Sequence, residues 1–213
     1  MAGKAHWENI YATKSVQEVS WYCGRLDTSL ELIQRAGLPR NAAIIDIGGG
    51  ACTLVDDLLR TGFADVTVLD LSAAALQTAQ QRLGALSERV QWMPGDVTSA
   101  HLAPEHYHLW HDRAVFHFLV TPQERTAYVA AATGAVKKSG FLIVATFALD
   151  GPAKCSGLPV ERYAPEDLAR QFPAFALMES RREQHRTPAG NIQNFTWVLM
   201  QKRSDAHCSH PRL

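Results

Sequence analysis

The stretch that decides the fold is residues 42–52, Ala-Ala-Ile-Ile-Asp-Ile-Gly-Gly-Gly-Ala-Cys. Its first part is a short apolar run that predicts a fully buried β-strand. Apolar residues then recur at helical spacing from Leu54 to Leu59, and this pattern stops at Gly62. A strand, a glycine turn and a helix therefore follow one another. Glycines at such a junction let the backbone approach a ligand where a β-carbon would collide.

The same alternation of strand and helix continues downstream of this unit. Strands are predicted at 66–70, 90–93, 107–110 and 141–147, and helices at 27–36, at 73–83 after the N-cap Ser72, and from the Thr121-Pro-Gln-Glu capping box to about Lys138. This order implies a parallel α/β sheet. The rhythm then changes, because 175–183 and 194–202 predict an antiparallel strand pair. Residues 204–213 are polar and predict a disordered tail.

The composition excludes several other classes of protein. The chain has 213 residues, of which 46% are hydrophobic, and its 21 Lys and Arg balance 21 Asp and Glu. That length suits one domain, and zero net charge argues against nucleic acid as a partner. No apolar run approaches the roughly 20 residues of a membrane span, and no secretory signal is recognised. Four scattered cysteines indicate neither a disulfide framework nor a zinc knuckle, so we expect a cytoplasmic protein.

Two acidic residues follow the next two strands. Asp70 ends the second strand, 22 residues after Gly48, where a carboxylate can accept both hydroxyls of a ribose. Gly95-Asp96 follows the third strand, where a carboxylate can accept a hydrogen bond from an exocyclic amine. The turn alone is also compatible with a packing role, but with these acids the pattern favours a nucleoside-bearing cofactor.

In this order, the glycine turn and the two acids resemble the class I S-adenosylmethionine-dependent methyltransferases over nearly the whole chain. The resemblance implies a Rossmann-like, doubly wound, mostly parallel seven-stranded sheet with a C-terminal antiparallel pair, and a single domain at 1–203 with an N-terminal lid at 1–38. It also implies that Asp46 orients the methionine end of S-adenosylmethionine, that Asp70 holds the ribose and that Asp96 contacts adenine. The residues expected to bind the cofactor, or its product S-adenosylhomocysteine, are Tyr11, Trp21, Asp46, Gly48, Gly49, Gly50, Asp70, Leu71, Asp96, Val97 and Asp112. One departure is Cys52, which stands where the family's third glycine would be.

The methyl acceptor is expected beside the fourth strand, which leads into Asp112-Arg113-Ala-Val-Phe-His117. Asp112 and His117 are the candidate catalytic residues, since a carboxylate can orient an acceptor and an imidazole has a pKa suited to taking its proton. Arg113, His117, Cys155 and His185 are candidate substrate contacts. The alternatives stay open: a helix-capping Asp112 paired with Arg113, a half-buried His117, and a surface loop around Cys155.

The acceptor itself is left open between N, O and S atoms of a small molecule and a protein lysine, and the oligomeric state is not predicted. A nicotinamide-dependent reductase is a rival, but it needs glycine where Thr53 stands. A cofactor-binding module without catalysis is another. His106, His108 and His111 invite a metal site, yet strand alternation places His111 on the opposite face, and no metal is predicted.

Overall fold

The computed structural model describes residues 3–204. In chain order the elements are α1 (Lys4–Thr13), α2 (Asp27–Arg35), β1 (Ala43–Ile47), α3 (Leu54–Arg60), β2 (Asp65–Asp70), α4 (Ala73–Leu83), β3 (Val90–Pro94), β4 (Tyr107–Arg113), α5 (Pro122–Ala135), β5 (Val136–Phe147), β6 (Lys154–Cys155), β7 (Leu158–Pro159), α6 (Pro165–Arg170), β8 (Phe175–Arg186) and β9 (Ile192–Lys202). Short 3-10 turns lie at Val16–Glu18, Gly84–Arg89 and Phe116–Phe118. Residues 205–213, nearly all of the predicted tail, lie outside the described residues.

The main sheet has seven strands in the order β3-β2-β1-β4-β5-β9-β8. Strands β1 to β5 are parallel, whereas β9 pairs antiparallel with both β5 and β8. This confirms the predicted α/β fold with its C-terminal antiparallel pair. The order of strands switches between β1 and β4, since β2 and β3 lie on one side of β1, and β4 and β5 lie on the other. Open α/β sheets bind ligands at the carboxyl ends of the strands at such a switch point.

Helices cover both faces of the sheet, as continuous apolar strands require. On one face, Leu32 of α2 and Leu58 of α3 pack in a cluster that includes Leu109 and Trp197. On the other face, residues of α5 and α6 pack on Trp110 and its neighbours. The central strands β1, β2 and β4 are thereby buried between two layers. No helix in residues 3–204 has the length and apolarity to span a membrane.

Several boundaries differ from the predicted ones. The helix after Thr121 ends at Ala135 and not at Lys138, because Val136 already pairs with Tyr107 of β4. The chain then turns through Ser139, whose φ is +59°, before the apolar part of β5. Strand β4 runs on to Arg113, so its polar end is strand and not loop. The turn-rich segment after β5 also contains an unpredicted hairpin, β6-β7.

The predicted helix starts are confirmed. Ser72 caps α4 by accepting a hydrogen bond from the backbone N–H of Ala75. Thr121 and Glu124 form the reciprocal capping box of α5, with Pro122 at the first helical position. Helix α4 starts directly after β2, whereas α5 follows β4 only after the 3-10 turn Phe116–Phe118.

Candidate active site

The turn after β1 has a backbone that requires glycine. Gly48 has a φ of +68°, and a β-carbon there would lie 2.1 Å from Cγ2 of Val115. Its N–H donates to the carbonyl of Leu69 over 2.7 Å, which ties the turn to the end of β2. A β-carbon on Gly49 would lie 2.5 Å from Oδ2 of Asp46. The turn is thus packed as closely as its glycines allow, with no room for side chains.

Asp70, at the end of β2, is a buried carboxylate beside this turn. Its Oδ1 accepts a hydrogen bond from the backbone N–H of Ser72 over 2.8 Å. Burial raises the pKa of Asp70 to about 7, against the hydrogen bond from Ser72, which favours the ionised form. The group therefore changes its protonation near neutral pH, which is typical of binding and catalytic sites.

The loop after β3 brings the second acid to the same edge. The N–H of Gly95 donates to the carbonyl of Asp70 over 2.9 Å, so the two loops are joined. Oδ1 of Asp96 accepts hydrogen bonds from the backbone N–H and the hydroxyl of Thr98. Within residues 3–204 these are the bonds that the Asp96 carboxylate makes, and its Oδ2 takes part in none of them.

An aromatic lid formed by α1 and the segment after it covers this edge. The Trp7 ring centroid lies 5.7 Å from that of Trp21 and 5.1 Å from that of Phe118. Tyr11 contacts Trp21 with a centroid separation of 6.1 Å, and burial raises the pKa of its phenol. The predicted lid segment therefore places Tyr11 and Trp21 over the strand ends.

Glu8 fastens the lid and was not singled out from the sequence. Its Oε1 accepts from the backbone N–H of Ala73 over 2.8 Å, and its Oε2 lies 3.1 Å from the Ser72 hydroxyl. Burial opposes its ionisation, but the bonds from Ala73 and Ala74 hold the pKa of Glu8 below its ordinary value. A carboxylate on the first turn of α4 matches the helix dipole. The only feature of the sequence that could have indicated this role is that Glu8 directly follows Trp7 in the aromatic N-terminal segment.

These elements line one pocket at the edge of the sheet. It is lined by Trp7, Tyr11, Trp21, Ile47, Gly48, Leu69, Asp70, Leu71, Gly95, Asp96, Val97, Arg113, Ala114, Val115, Phe118 and Cys155. Nine predicted cofactor and substrate residues are brought together here: Tyr11, Trp21, Gly48, Asp70, Leu71, Asp96, Val97, Arg113 and Cys155. The walls are mostly apolar and aromatic, with the carboxylates on one side and Arg113 on another.

Asp46 lies below the turn, in a smaller adjoining pocket. Its Oδ1 lies 2.7 Å from Nδ1 of His111, whose Nε2 lies 3.0 Å from the Ser29 hydroxyl. This buried chain of bonds links β1, β4 and α2. The adjoining pocket also contains Gly49 and Cys52, and burial raises the pKa of the Cys52 thiol to about 12. Cys52 is therefore a thiol at neutral pH and not a reactive thiolate.

Asp112 does not lie in the pocket, contrary to its expected contact with acceptor or cofactor. The side chain is fully buried, and its two oxygens accept from the N–H groups of Val115 and Phe116 over 2.7 and 2.9 Å. The Tyr128 hydroxyl donates to the same carboxylate. Burial raises the pKa of Asp112 to about 6. The residue is a buried cap for the turn after β4.

His117 is likewise placed behind the pocket wall. It is fully buried, and its Nδ1 lies 3.4 Å from the N–H of Phe147. Burial and the charge of Arg113 lower the pKa of His117 to about 3, so the ring is neutral at pH 7. A group with that pKa and no access to the pocket is unsuited to taking a proton from an acceptor.

Of the other candidate substrate contacts, Cys155 and Arg113 line the pocket and His185 does not. Cys155 of the β6-β7 hairpin lines the pocket, and burial raises the pKa of its thiol to about 11. His185 does not line it: its Nε2 donates to the carbonyl of Ser20 over 2.9 Å and anchors the lid segment. Arg113 lines both pockets, and its Nη1 donates to the carbonyl of Trp21 over 3.1 Å.

The three histidines around β4 take separate partners. His106 lies 3.6 Å from Asp65, the N–H of Ala43 donates to Nδ1 of His108, and His111 faces Asp46. Among residues 3–204, no group of three potential metal ligands comes together.

Comparison with known proteins identifies the fold and a family of domains. Residues 44–140 match the family model of a methyltransferase domain, and this stretch holds the glycine turn, Asp70 and Asp96. This stretch is therefore a methyltransferase domain. Among curated proteins, a search gave no match to this methyltransferase.

Solved structures share the fold of this methyltransferase at low sequence identity. One, from work on the conversion of a disulfide bond into a thioacetal group during echinomycin biosynthesis, is 18% identical, with a TM-score of 0.77 over 95% of this chain and 94% of that chain. The Burkholderia thailandensis 1,6-didemethyltoxoflavin N1-methyltransferase, solved with its substrate and S-adenosylhomocysteine, is 19% identical, with a TM-score of 0.71 over 94% and 87%. A Methanosarcina mazei S-adenosylmethionine-dependent methyltransferase is 16% identical, with a TM-score of 0.68 over 81% and 98%.

S-adenosylmethionine is the cofactor of this family, and the residues of the pocket fit it. The glycine turn leaves backbone where β-carbons would collide, and the buried Asp70 and the free oxygen of Asp96 supply acceptors for a nucleoside. The aromatic lid supplies faces that attract a sulfonium. Cys52 does not narrow this pocket, because it lies in the adjoining one.

Proposed function

We propose that this methyltransferase moves the methyl group of S-adenosylmethionine to an N, O or S atom of a small molecule. The observation that supports the proposal best is the apolar and aromatic lining of the pocket. Trp7, Trp21 and Phe118 line it and pack edge to face, and Glu8 holds the helix that carries Trp7 against α4. A pocket with few polar groups suits a small acceptor.

We assign the cofactor contacts as follows. Asp70 accepts the ribose hydroxyls, the free oxygen of Asp96 accepts the adenine amine, and Leu71 and Val97 pack on the adenine ring. The turn Gly48–Gly50 lies against the methionine end, which Asp46 orients from the adjoining pocket. When bound, the cofactor supplies a methyl carbon activated by its sulfonium.

The chain's own residues supply alignment and the exclusion of water, which are the main requirements of an in-line displacement. Trp7 and Trp21 exclude water, and their ring faces attract positive charge. Asp112 fixes the turn that carries Val115 against the glycine turn. His117, neutral and enclosed, holds the backbone of Phe147, and we assign it no proton transfer.

A protein-lysine acceptor is the second candidate, and one observation weighs against it. The charged side chain on the β4 side of the pocket is Arg113, which would repel a lysine ammonium. The walls that remain beside it are apolar and aromatic, without the acidic group that an ammonium needs. We therefore favour a small molecule.

The proposal also covers the organisation of the chain. We take residues 1–203 as one methyltransferase domain in which residues 1–38 act as the lid. We place the protein in the cytoplasm, in agreement with the free thiols of Cys23, Cys52 and Cys155.

A methyl-transfer screen tests the proposal. Purified protein and labelled S-adenosylmethionine are offered small thiols, small amines, phenols and a lysine-containing cell lysate. We expect turnover on a small acceptor by wild type, loss in Asp70→Ala, and retention in Asp65→Ala, which changes the other end of the same strand. Label found only in lysate proteins would contradict the small-molecule assignment. Cofactor binding without any turnover would indicate a module that binds but does not catalyse.

A further inference from the structure

Arg113 is a partly buried cation at the end of β4. Its Nη1 donates to the Trp21 carbonyl, and its guanidinium carbon lies 4.9 Å above the Phe195 ring. Its Nη2 is buried with no hydrogen-bond partner. Among the ion pairs of residues 3–204, none includes Arg113. An unpaired buried donor on a charged group is costly, so a native arrangement of this kind calls for a partner.

The titratable groups near Arg113 do not supply that partner. Asp46 lines the adjoining pocket with Arg113, but its ion pair is with His111. His117 and His185 are bases whose pKa values are lowered by burial and by the Arg113 charge. Burial raises the pKa of Cys155 to about 11, so it too is neutral at pH 7. The buried, unpartnered Nη2 of Arg113 therefore favours an anionic ligand.

The pocket places Arg113 apart from the residues assigned to the nucleoside. Asp70 and Asp96 follow β2 and β3, whereas Arg113 ends β4 and shares its wall with Phe118 and with Cys155 of the β6-β7 hairpin. Beside the charge, this wall is apolar and aromatic. A ligand seated here would need an apolar body and a negatively charged group.

We infer that Arg113 binds the anionic group of the methyl acceptor, and that the acceptor is a small apolar or aromatic molecule carrying a carboxylate or a comparable oxyanion. The inference rests on the proposed function and names its substrate class. Because Arg113 also borders the pocket of Asp46, the carboxylate of the cofactor is the competing source of the same chemistry.

Binding of matched probes separates these sources. Benzoate and benzamide have the same apolar body, and only benzoate is charged. Each is titrated into wild type saturated with S-adenosylhomocysteine, with saturation-transfer NMR as the readout. We expect benzoate to bind at least about tenfold more tightly than benzamide in wild type, and Arg113→Met to abolish this preference. Arg113→Lys should retain part of the preference for benzoate, because lysine keeps the positive charge but lacks the paired N–H donors of the guanidinium. Arg170→Met, at a largely exposed arginine, should change nothing.

Titrations of S-adenosylhomocysteine and its decarboxylated analogue into each variant complete the test. We expect Arg113→Met to bind S-adenosylhomocysteine within about threefold of wild type, and benzamide binding shows that its pocket is intact. Equal binding of benzoate and benzamide in wild type would overturn the inference. The inference would also be overturned if Arg113→Met bound S-adenosylhomocysteine more weakly than wild type but bound the decarboxylated analogue equally well. Arg113 would then bind the carboxylate of the cofactor. Failure of wild type to bind S-adenosylhomocysteine would instead overturn the proposed function.

Discussion

Gly50 and Asp70 meet closely across the first turn of the site: a β-carbon on Gly50 would lie 2.8 Å from Oδ2 of Asp70. The same β-carbon would lie 3.1 Å from the Tyr11 hydroxyl, and Gly50 has a φ of +42°. One glycine thus sets the spacing between the turn, the acid and the lid. The approach explains why the glycine turn and the acid after β2 act as one unit.

Substituting Gly50 should therefore weaken cofactor binding. Gly50→Ala introduces a strained φ and displaces Asp70 or Tyr11, and we expect a loss of about 1–3 kcal/mol in stability and at least a tenfold loss of S-adenosylhomocysteine affinity. Calorimetric titration and urea unfolding measure the two. Gly134→Ala is the matched control, since nothing lies within 4 Å of its added carbon and it is helical. Wild-type affinity in Gly50→Ala would refute the role of this approach.

Cofactor affinity should depend on pH through Asp70. Its pKa is about 7 in the free protein because the group is buried, and the ribose hydroxyls need an ionised acceptor. Above that pH the carboxylate is ready to bind; below it, binding must release a proton, so affinity falls by up to about tenfold per pH unit. Titrations from about pH 6 to about pH 8 should show affinity rising and then levelling off. Asp70→Asn should bind weakly with no such slope. A flat wild-type profile would argue against Asp70 as the ribose acceptor.

The sequence predicted the parts of the site that depend on local pattern. The apolar run before Gly48, the glycines themselves and the acid at the end of β2 are all legible from neighbouring residues. The antiparallel pair was likewise predicted from two strand-like segments, 175–183 and 194–202, separated by the turn-rich residues 187–191. The end of α5 was placed too late because Lys137 and Lys138 extend a helical pattern, whereas pairing with Tyr107 makes Val136 a strand residue.

Contacts between segments that are distant in the chain could not be predicted from the sequence. Asp46 and His111 are 65 residues apart, and their pairing depends on β1 lying beside β4. The burial of Asp112 follows from strand β4, which continues to Arg113, three residues beyond its predicted end. Glu8 reaches the start of α4 over a separation of 65 residues. Such partners are set by tertiary packing and not by spacing along the chain.

Removal of the Glu8 carboxylate should weaken the attachment of α1 to the start of α4. Glu8→Ala deletes the acceptor of the Ala73 and Ala74 N–H groups, and we expect a loss of about 1 kcal/mol in stability and faster release of S-adenosylhomocysteine. Stopped-flow tryptophan fluorescence measures the release, since Trp7 and Trp21 line the pocket. Glu88→Ala, at an exposed carboxylate, serves as control. An unchanged release rate in Glu8→Ala would show that α1 does not retain the cofactor.

Asp112 should prove to be a positioning residue. Asp112→Ala leaves the N–H groups of Val115 and Phe116 and the Tyr128 hydroxyl without their acceptor, and we expect a loss on the order of 3 kcal/mol in urea unfolding. Asp112→Asn should lose less, because one side-chain acceptor remains. Asp150→Ala, at an exposed ion pair, should lose under about 1 kcal/mol. Full stability combined with lost turnover in Asp112→Ala would restore it as a catalytic residue.

The most direct test of the account is calorimetric titration of wild type and Asp70→Ala with S-adenosylmethionine, and of wild type with NADH. We predict one S-adenosylmethionine bound per chain, at least about tenfold weaker binding in Asp70→Ala because a buried charged acceptor is lost, and no heat from NADH. Binding of NADH without S-adenosylmethionine, or full S-adenosylmethionine affinity in Asp70→Ala, would contradict it.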